Sequence, residues 1–341
     1  MFEIKQGALI RAIIAMTLAG AGGAALADCT PADTSKGTLS ASHVAVKNEK
    51  VTGEIDASGC DIGVYIPDGV KNVTVSAEVH DANQYGVFNN GNARVAGGEI
   101  YNIGHHSGGV FQPNGSQTGV GVYFFDATGS VIGNDIHDYQ KGGIVINGLS
   151  MANVSDNGVT GALPVTYIAQ NGIQFGYGAK GHAMRNVVSG NWYLGANWTS
   201  TGILVFETGN VSVQDNAVQG SQTGISIEAW CWIEPSADNN RIVNNSVQGA
   251  QYAVTVAAYS LGGYSTCDAS ADNNKVTNNL LDSTPSPGDI GIFLGTGQYY
   301  GGTDTPTADN NKLIHNQISG FTDNTYQSGD SSSKVHANVI D

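Results

Sequence analysis

The titratable side chains of the sequence are most concentrated in two short segments, "GGEIYNIGHH" at 97–106 and "NDIHDYQK" at 134–141. The side chains with catalytic potential in these segments are Glu99, Tyr101, Asp135, His137, Tyr139 and Lys141. Two carboxylates stacked roughly 5 Å apart raise each other's proton affinity, and such a pair can act as acid and nucleophile in a retaining glycosidase. The same pair could instead bind Ca²⁺, which prefers carboxylate oxygens.

Elimination or epimerisation at a uronic acid would use these residues differently. It requires a base for the proton beside the carboxylate, an acid for the leaving oxygen and a group that neutralises the carboxylate. His137 could be the base, and Tyr101 or Tyr139 the acid. Lys141 or a bound cation could neutralise the carboxylate. The alternative is a polar, solvated face with incidental histidines, because a titratable cluster is only a probabilistic guide to a site.

Three insertions rich in aromatic residues form a second candidate site, at 228–237, 257–270 and 295–308. The side chains expected to contact a ligand there are Glu228, Trp230, Trp232, Tyr259, Tyr264, Tyr299 and Tyr300. Aromatic rings offer flat apolar faces with polar edges, which suit stacking on sugars. Packing of the loops onto the rest of the protein is an equally open interpretation. Glu207 and Glu228 could serve as acid catalysts here, although ordinary surface glutamates are the favoured interpretation.

A sequence repeat must position both groups of residues. The phrase "SADNNRIVNN" at 236–245 returns as "SADNNKVTNN" at 270–279 and "TADNNKLIHN" at 307–316. A motif of the form apolar-x-x-Asn-x-apolar contains Asn134, Asn157, Asn216, Asn245, Asn279, Asn316 and Asn338. Asn191 is assigned to the same column. A second phrase, Gly-apolar-x-apolar, alternates with this motif, for example at 143–146.

Alternation of this kind in short runs predicts strands with one buried face. The shortest spacings between motif asparagines, 22 and 23 residues, fit one turn of a solenoid with about three strands. Strands of successive turns would stack about 4.8 Å apart, so equivalent asparagines could hydrogen-bond along the stack. The Asp-Asn-Asn phrase predicts a turn before a strand, because both residue types tolerate left-handed backbone.

The register of this stack predicts which candidate side chains meet. Aligning the glycine before Glu99 with Asn134 places Glu99 beneath Asp135. The same alignment places Tyr101 beneath His137, and all four of these side chains should face solvent.

With these phrases the chain resembles the right-handed parallel β-helix proteins of the pectate-lyase-like superfamily, over roughly residues 40–341. The resemblance implies an all-β fold, a right-handed parallel β-helix solenoid with inserted loops on one side. It implies no single activity, since the superfamily includes polysaccharide lyases, glycoside hydrolases, uronan epimerases, phage tailspikes and proteins without known catalysis. The chain has neither an Asp-Asp pair nor Gly-His-Gly, so the carboxylate set of polygalacturonases is missing. "QYGVFNN" at 84–90 begins like an alginate-epimerase phrase but lacks its Asp and His.

The beginning of the chain predicts export. Residues 1–27 combine charged residues, an apolar core and "AALA" before Asp28, which is typical of a cleaved signal peptide. Residues 28–341 would then form a single parallel β-helix domain, with an N-terminal cap over about 28–50. No later stretch approaches the roughly 18 apolar residues of a spanning helix. A secreted or periplasmic protein without membrane insertion is therefore expected.

The four cysteines predict two disulfides in such an oxidising compartment. Sequence order favours pairing Cys29 with Cys60 and Cys231 with Cys267, although three pairings are open. A lipoprotein modified at Cys29 is disfavoured, because the preceding Asp28 stands where a small residue is usual.

Charge and composition bound the function. The sequence carries 14 basic and 29 acidic residues, and this surface would repel nucleic acid. The expected function is an exported polysaccharide-active enzyme, a lyase, epimerase or glycoside hydrolase working in a groove along the β-helix. The alternative is a non-catalytic carbohydrate-binding or cell-surface protein. The expected partner is a polysaccharide or oligosaccharide, Ca²⁺ is a candidate cofactor, and oligomerisation could cover exposed strand edges.

Overall fold

The computed structural model describes residues 28–196, 198–260, 267–284, 288–298, 305–328, 333–336 and 338–340. The predicted signal peptide, 1–27, lies outside these residues. Every regular element in the described residues is a β-strand. Within them, no helix has the length and apolar character needed to cross a membrane.

Sheet 1 is a stack of strands that runs along the whole described chain. Its strands are Thr30–Thr34, Gly37–Val44, Ile62–Ile66, Tyr85–Asn89, Val120–Phe125, Gly142–Asn147, Asn171–Gly176, Thr201–Phe206, Thr223–Ala229, Tyr252–Ser260, Gly288–Gln298 and Phe321–Ser328. The first two strands form an antiparallel hairpin, and the later neighbours pair in parallel. The Gly-apolar-x-apolar phrase lies in these strands, and its inward residues, such as Ile144 and Ile173, are fully buried.

The other strands form two columns of a second large sheet. Sheet 2 contains Lys50–Asp56, Val73–His80, Asn92–Ala96, Thr128–Ile132, Met151–Ser155, Lys180–Met184, Val211–Gln214, Arg241–Val243, Lys275–Thr277, Lys312–Ile314 and Lys334–His336. Sheet 3 contains Glu99–Tyr101, Asp135–His137, Gly158–Thr160, Val187–Ser189, Ala217–Gln219, Ser246–Gln248, Leu280–Asp282, Gln317–Ser319 and Val339–Ile340. A two-stranded hairpin, His106–Ser107 with Val110–Phe111, stands outside the coil. The long strand Val73–His80 pairs with both Asn92–Ala96 and Glu99–Tyr101, and from Asn92 onwards each turn contributes one strand to sheet 2 and one to sheet 3. The predicted parallel solenoid is confirmed.

The asparagine motif forms a continuous ladder between sheets 2 and 3. Its members are Asn134, Asn157, Asn186, Asn216, Asn245, Asn279, Asn316 and Asn338. Each Oδ1 accepts the backbone N–H and the Nδ2 of the preceding member over 2.8–3.1 Å. Gly98 N–H donates to Asn134 Oδ1 over 3.0 Å, which confirms the predicted alignment.

The assignment of Asn191 to this ladder is wrong, and Asn186 occupies the position. Asn186 follows the sheet 2 strand Lys180–Met184 at the same corner where the other members stand, whereas Asn191 follows the next strand, Val187–Ser189. The Asn191 Oδ1 instead accepts a hydrogen bond from the buried Tyr139 hydroxyl over 2.7 Å.

The Asp-Asn-Asn phrase forms the predicted turn. Asn239, Asn273 and Asn310 have φ values of 60°, 58° and 54°, in the left-handed region that asparagine tolerates. The next asparagine of each phrase starts a second ladder, in which Asn240 N–H donates to Asn274 Oδ1 over 2.8 Å. The threefold repetition in the sequence therefore has a structural role, because each copy forms the same turn and contributes to the second asparagine ladder.

Both predicted disulfides are confirmed. Cys29–Cys60 ties the N-terminal hairpin to the first coil, and Cys231–Cys267 ties together the loops of two neighbouring coils.

Candidate functional site

The predicted pairing of titratable side chains on the outer face of sheet 3 is confirmed by the register. Asp135 lies directly beside Glu99 on the neighbouring strand. The Tyr101 and His137 rings stack with centroids 5.4 Å apart and planes 7° apart. His80, one coil earlier, stacks on the other face of Tyr101 at 5.1 Å. We call His80, Tyr101 and His137, with the carboxylates that contact them, the outer ladder.

Each histidine of the outer ladder lies between two carboxylates. His137 places Nδ1 2.7 Å from Asp138 Oδ2 and Nε2 3.1 Å from Glu99 Oε1. Asp138 follows the end of the strand and has a left-handed φ of 48°. In this conformation its carboxylate contacts the ring of His137, the preceding residue. Burial alone would lower the pKa of His137, but the hydrogen bonds that its ring donates to Asp138 and Glu99 outweigh the effect of burial and raise the pKa.

His80 repeats this arrangement, although it was not among the predicted site residues. Its Nδ1 lies 2.7 Å from Asp81 Oδ2 and its Nε2 3.2 Å from Glu54 Oε1. Asp81 also has a left-handed φ, 60°. The available signal was the dipeptide His-Asp, which ends a strand in both coils.

Tyr101 is a hydrogen-bond donor in the outer ladder. Its hydroxyl donates to Glu78 Oε1 over 2.9 Å. Desolvation and the neighbouring Glu78 carboxylate raise the pKa of Tyr101 to about 12. The hydroxyl therefore stays protonated at neutral pH.

Tyr139 and Lys141 do not join the outer ladder, although they were predicted to act with its residues. Tyr139 is only 1% exposed and lies in the core between the sheets. Lys141 immediately precedes the sheet 1 strand Gly142–Asn147, and its Nζ donates to the Ala169 carbonyl over 2.7 Å. The chain turns from sheet 3 to sheet 1 between His137 and Lys141, so proximity in sequence did not bring these side chains together.

The outer face of sheet 1 carries a groove of about 980 Å³. It crosses eight strands, from Tyr85–Asn89 to Gly288–Gln298, and seven spacings of about 4.8 Å correspond to about 34 Å. Its aromatic lining includes Tyr85, Tyr123, Tyr177, Trp198, Phe206, Trp230, Trp232 and Tyr259. We call this feature the aromatic groove. Its size is at the upper end of ordinary ligand pockets.

At the C-terminal end of the aromatic groove, four of the predicted ligand-binding residues come together: Glu228, Trp230, Trp232 and Tyr259. The ring of Trp230 lies 4.4 Å from that of Tyr259 and 6.1 Å from that of Trp198. Trp230 Nε1 donates to Glu228 Oε2 over 2.9 Å, which fixes the indole. Trp232 lines the same groove and is 54% exposed. The predicted contacts of Tyr264, Tyr299 and Tyr300 lie outside the described residues.

The loop that carries the tryptophans is anchored by a buried carboxylate. Glu207 is fully buried, and its carboxylate accepts hydrogen bonds from the backbone N–H groups of Trp232, Ile233 and Glu234 over 2.6, 2.9 and 3.1 Å. Burial raises the pKa of Glu207, and these hydrogen bonds oppose the rise. The interpretation of Glu207 as a surface glutamate is therefore wrong, because the loop folds over it.

The middle of the aromatic groove has a polar floor whose residues were not among the predicted site residues. Asn171 Nδ2 donates to Gln174 Oε1 over 3.1 Å, and Gln174 Nε2 donates to Asn147 Oδ1 over 3.0 Å. The signal was present, since Gln174 is the outward residue of a Gly-apolar-x-apolar phrase. At the N-terminal end, the rings of Tyr85 and Tyr123 stack at 5.1 Å, and Lys36 Nζ lies 5.8 Å from the Tyr123 ring centre.

Lys141 provides a pH-dependent contribution to stability that can be tested. Burial lowers its pKa from 10.5 to about 8. Below pH 8 the lysine is charged in both the folded and unfolded states, so the burial penalty is fully present. Between pH 8 and 10.5 the unfolded state keeps a proton that the folded state has released, so stability rises with pH.

We therefore expect the Lys141→Met variant to lose this rise. From pH 7.5 to 10 the unfolding free energy of the wild type should rise relative to that of the variant by on the order of 1–2 kcal/mol. Urea unfolding at both pH values measures the difference, with the exposed Lys180→Met as the matched control. A constant difference across this range would contradict the assignment.

A coil of three parallel sheets with an internal asparagine ladder defines a parallel β-helix protein. The right handed beta helix region family matches residues 117–312, more than half of the sequence, and the chain belongs to this family. The right-handed fold expected from the sequence is thereby confirmed. No curated protein matches the chain.

Three solved structures share the fold. The tailspike protein of E. coli bacteriophage HK620, solved as a mutant with a pentasaccharide, is 11% identical, with 86% of this chain and 60% of that chain covered and a TM-score of 0.51. The Dettilon tailspike protein is 16% identical, with coverages of 85% and 61% and a TM-score of 0.50. The lacto-N-biosidase from Eubacterium ramulus is 14% identical, with coverages of 87% and 59% and a TM-score of 0.50. At these identities the likeness concerns the fold, and the chain spans about 60% of the length of these proteins.

Proposed function

We propose that the protein binds a polysaccharide or oligosaccharide along the aromatic groove, outside the cytoplasm. The observation that carries the proposal is the composition of the groove, in which aromatic rings stand along a floor of side-chain amides and hydroxyls over about 34 Å. Rings can stack on the apolar faces of sugars, and amides can donate to and accept from sugar hydroxyls. The two disulfides support an oxidising location.

The fixed position of Trp230 supports the same proposal. Binding costs less free energy when side chains are already held in the bound conformation. The indole is held by Glu228, its loop by Glu207 and Cys231–Cys267, and its ring by neighbouring aromatic rings. Such preorganisation is what a binding surface requires. The tailspike with a pentasaccharide and the lacto-N-biosidase are carbohydrate-related proteins on the same fold, which adds to the support.

The experiment is a binding screen of residues 28–341 against neutral and acidic polysaccharides, with and without Ca²⁺. We expect at least one glycan to bind and the Trp230→Ala and Trp232→Ala variants each to weaken its Kd by roughly 30-fold, about 2 kcal/mol, as for buried aromatic contacts. Leu149→Ala is the matched control, because Leu149 is 83% exposed and does not line the groove. Unchanged affinity in both tryptophan variants would overturn the groove as the binding site.

Catalysis by Glu99, Tyr101, Asp135 and His137 stays a prediction, and their juxtaposition favours it as a second candidate function. A carboxylate at each ring nitrogen favours a protonated His137, which suits an acid better than the predicted base. The same glycan panel is monitored for unsaturated uronates and new reducing ends, which distinguish elimination from hydrolysis. If a product forms, we expect Asp135→Ala and His137→Ala to lower its rate at least 100-fold. Full activity in both variants would exclude the outer ladder as the catalytic site.

A further inference from the structure

The Nε2 atom of His137 points at acceptors only. It lies 3.1 Å from Glu99 Oε1, and the ligand atoms of Glu99, Asp135 and His137 all lie within 4.8 Å of one another. The opposite ring nitrogen, Nδ1, is engaged by Asp138 Oδ2 at 2.7 Å. Carboxylate oxygens accept and do not donate when ionised. A positive centre, either a proton or a metal ion, is therefore required between Nε2 and the two carboxylates.

The surroundings of His137 match those of a metal-ligating histidine. Such a histidine usually donates its second ring N–H to a carboxylate, which fixes the tautomer and the orientation of the ring. Asp138 is in that position, and the stacked ring of Tyr101 holds the plane of the imidazole. With Nδ1 protonated, the lone pair available to a metal ion is on Nε2, which faces Glu99 and Asp135.

We propose that Glu99, Asp135 and His137 bind a divalent transition metal ion, with Zn²⁺ as the reference ion. Ligands about 2.1 Å from a tetrahedral Zn²⁺ lie roughly 3.4 Å apart, close to the separation of Glu99 and His137. One nitrogen and two carboxylates suit Zn²⁺ better than Ca²⁺, which takes six to eight oxygens. Glu99 and Asp135 are exposed, so a fourth position is open to solvent. This site lies on the outer face of sheet 3 and does not depend on the groove of sheet 1.

The three ligands stand on a rigid support. Asp135 and Glu99 are register partners on adjacent strands, and Ile136 between Asp135 and His137 is fully buried in the core. Asp135 and His137 therefore project from one face of the same strand, because alternate residues share a face. Metal binding needs only rotation of the Glu99 and Asp135 side chains within this frame.

The test is equilibrium dialysis of the mature protein against Zn²⁺, with bound metal counted by elemental analysis and Co²⁺ used as a spectroscopic probe of nitrogen ligation. A neighbouring set, Asp56, His80 and Asp81, offers similar ligand types, so the readout is the difference between variants. We expect Glu99→Gln and His137→Ala each to remove one equivalent of Zn²⁺ per chain. The exposed His182→Ala should keep it, and circular dichroism should confirm that all variants are folded.

Asp138→Asn separates a positioning role from ligation. Loss of the carboxylate that hydrogen-bonds to a metal-ligating histidine typically weakens metal binding 10–100-fold. For Asp138→Asn we therefore expect a tenfold or greater rise in the Zn²⁺ Kd, with the Co²⁺ spectrum retained. The proposal is overturned if wild type binds no Zn²⁺, or if the Glu99→Gln and His137→Ala variants keep the full equivalent. Ca²⁺ binding that survives His137→Ala with equal affinity, in place of Zn²⁺ binding, would also overturn it.

Discussion

Replacing Asn216 with alanine should lower the free energy of unfolding by about 3 kcal/mol, because two buried backbone groups lose their partners. Asn216 is 2% exposed and stands in the middle of the asparagine ladder. Its Oδ1 accepts the Asn186 N–H over 2.9 Å, and its Nδ2 donates to the Ala183 carbonyl over 2.9 Å. Both groups lie inside the coil, where water cannot replace the lost hydrogen bonds.

Asn216→Asp should destabilise the protein further, although it keeps the shape of the side chain. A carboxylate would face the Ala183 carbonyl and Asn245 Oδ1, which are both acceptors. Chemical and thermal unfolding measure both variants, and agreement between the two methods tests whether the stack unfolds as one unit. Asn153→Ala, an exposed asparagine of sheet 2, is the control and should change stability by less than about 0.5 kcal/mol. Equal stability of Asn216→Ala and the control would contradict the role of the ladder.

The sequence predicted the coil because the coil depends on short-range periodicity. Each sequence phrase forms one strand and each turn contains one motif asparagine, so the repeat fixes the register of successive turns. This register correctly placed Asp135 beside Glu99 and Tyr101 beside His137. The assignment of Asn191 failed because the insertion at 161–170 hides the spacing, and the true ladder member, Asn186, follows Ala183 in place of a larger apolar residue.

The candidate sites were harder to predict because they depend on which sheet each side chain faces. Lys141 is two residues beyond Tyr139, yet the first lines the groove and the second lies in the core. The groove floor was missed because outward amides such as Gln174 differ from turn to turn and show no periodicity. Glu207 was misjudged because its partners are backbone N–H groups of a loop 25 to 27 residues away, which no sequence pattern records.

Glu207→Gln should uncouple the tryptophan loop from the coil, with two measurable consequences. A glutamine offers one carbonyl oxygen where the carboxylate offers two, and its NH₂ group would face a backbone N–H donor. Loss of hydrogen bonds to a buried charged group should lower the unfolding free energy by about 3 kcal/mol. Because Trp230 and Trp232 stand on this loop, we also expect the Kd for the bound glycan to rise about tenfold, although no groove contact is removed.

The matched control for this variant is Glu234→Gln. Glu234 belongs to the same loop, but its own side chain is exposed and only its backbone N–H contacts Glu207. Thermal melting and glycan titration on both variants separate the two consequences. A Glu207→Gln variant that melts earlier yet binds the glycan as wild type does would mean that Cys231–Cys267 and the Glu228 contact are sufficient to hold the tryptophans. Loss of both properties would show that the buried carboxylate preorganises the binding surface, and it would explain why a protein places a charge where solvent cannot reach it.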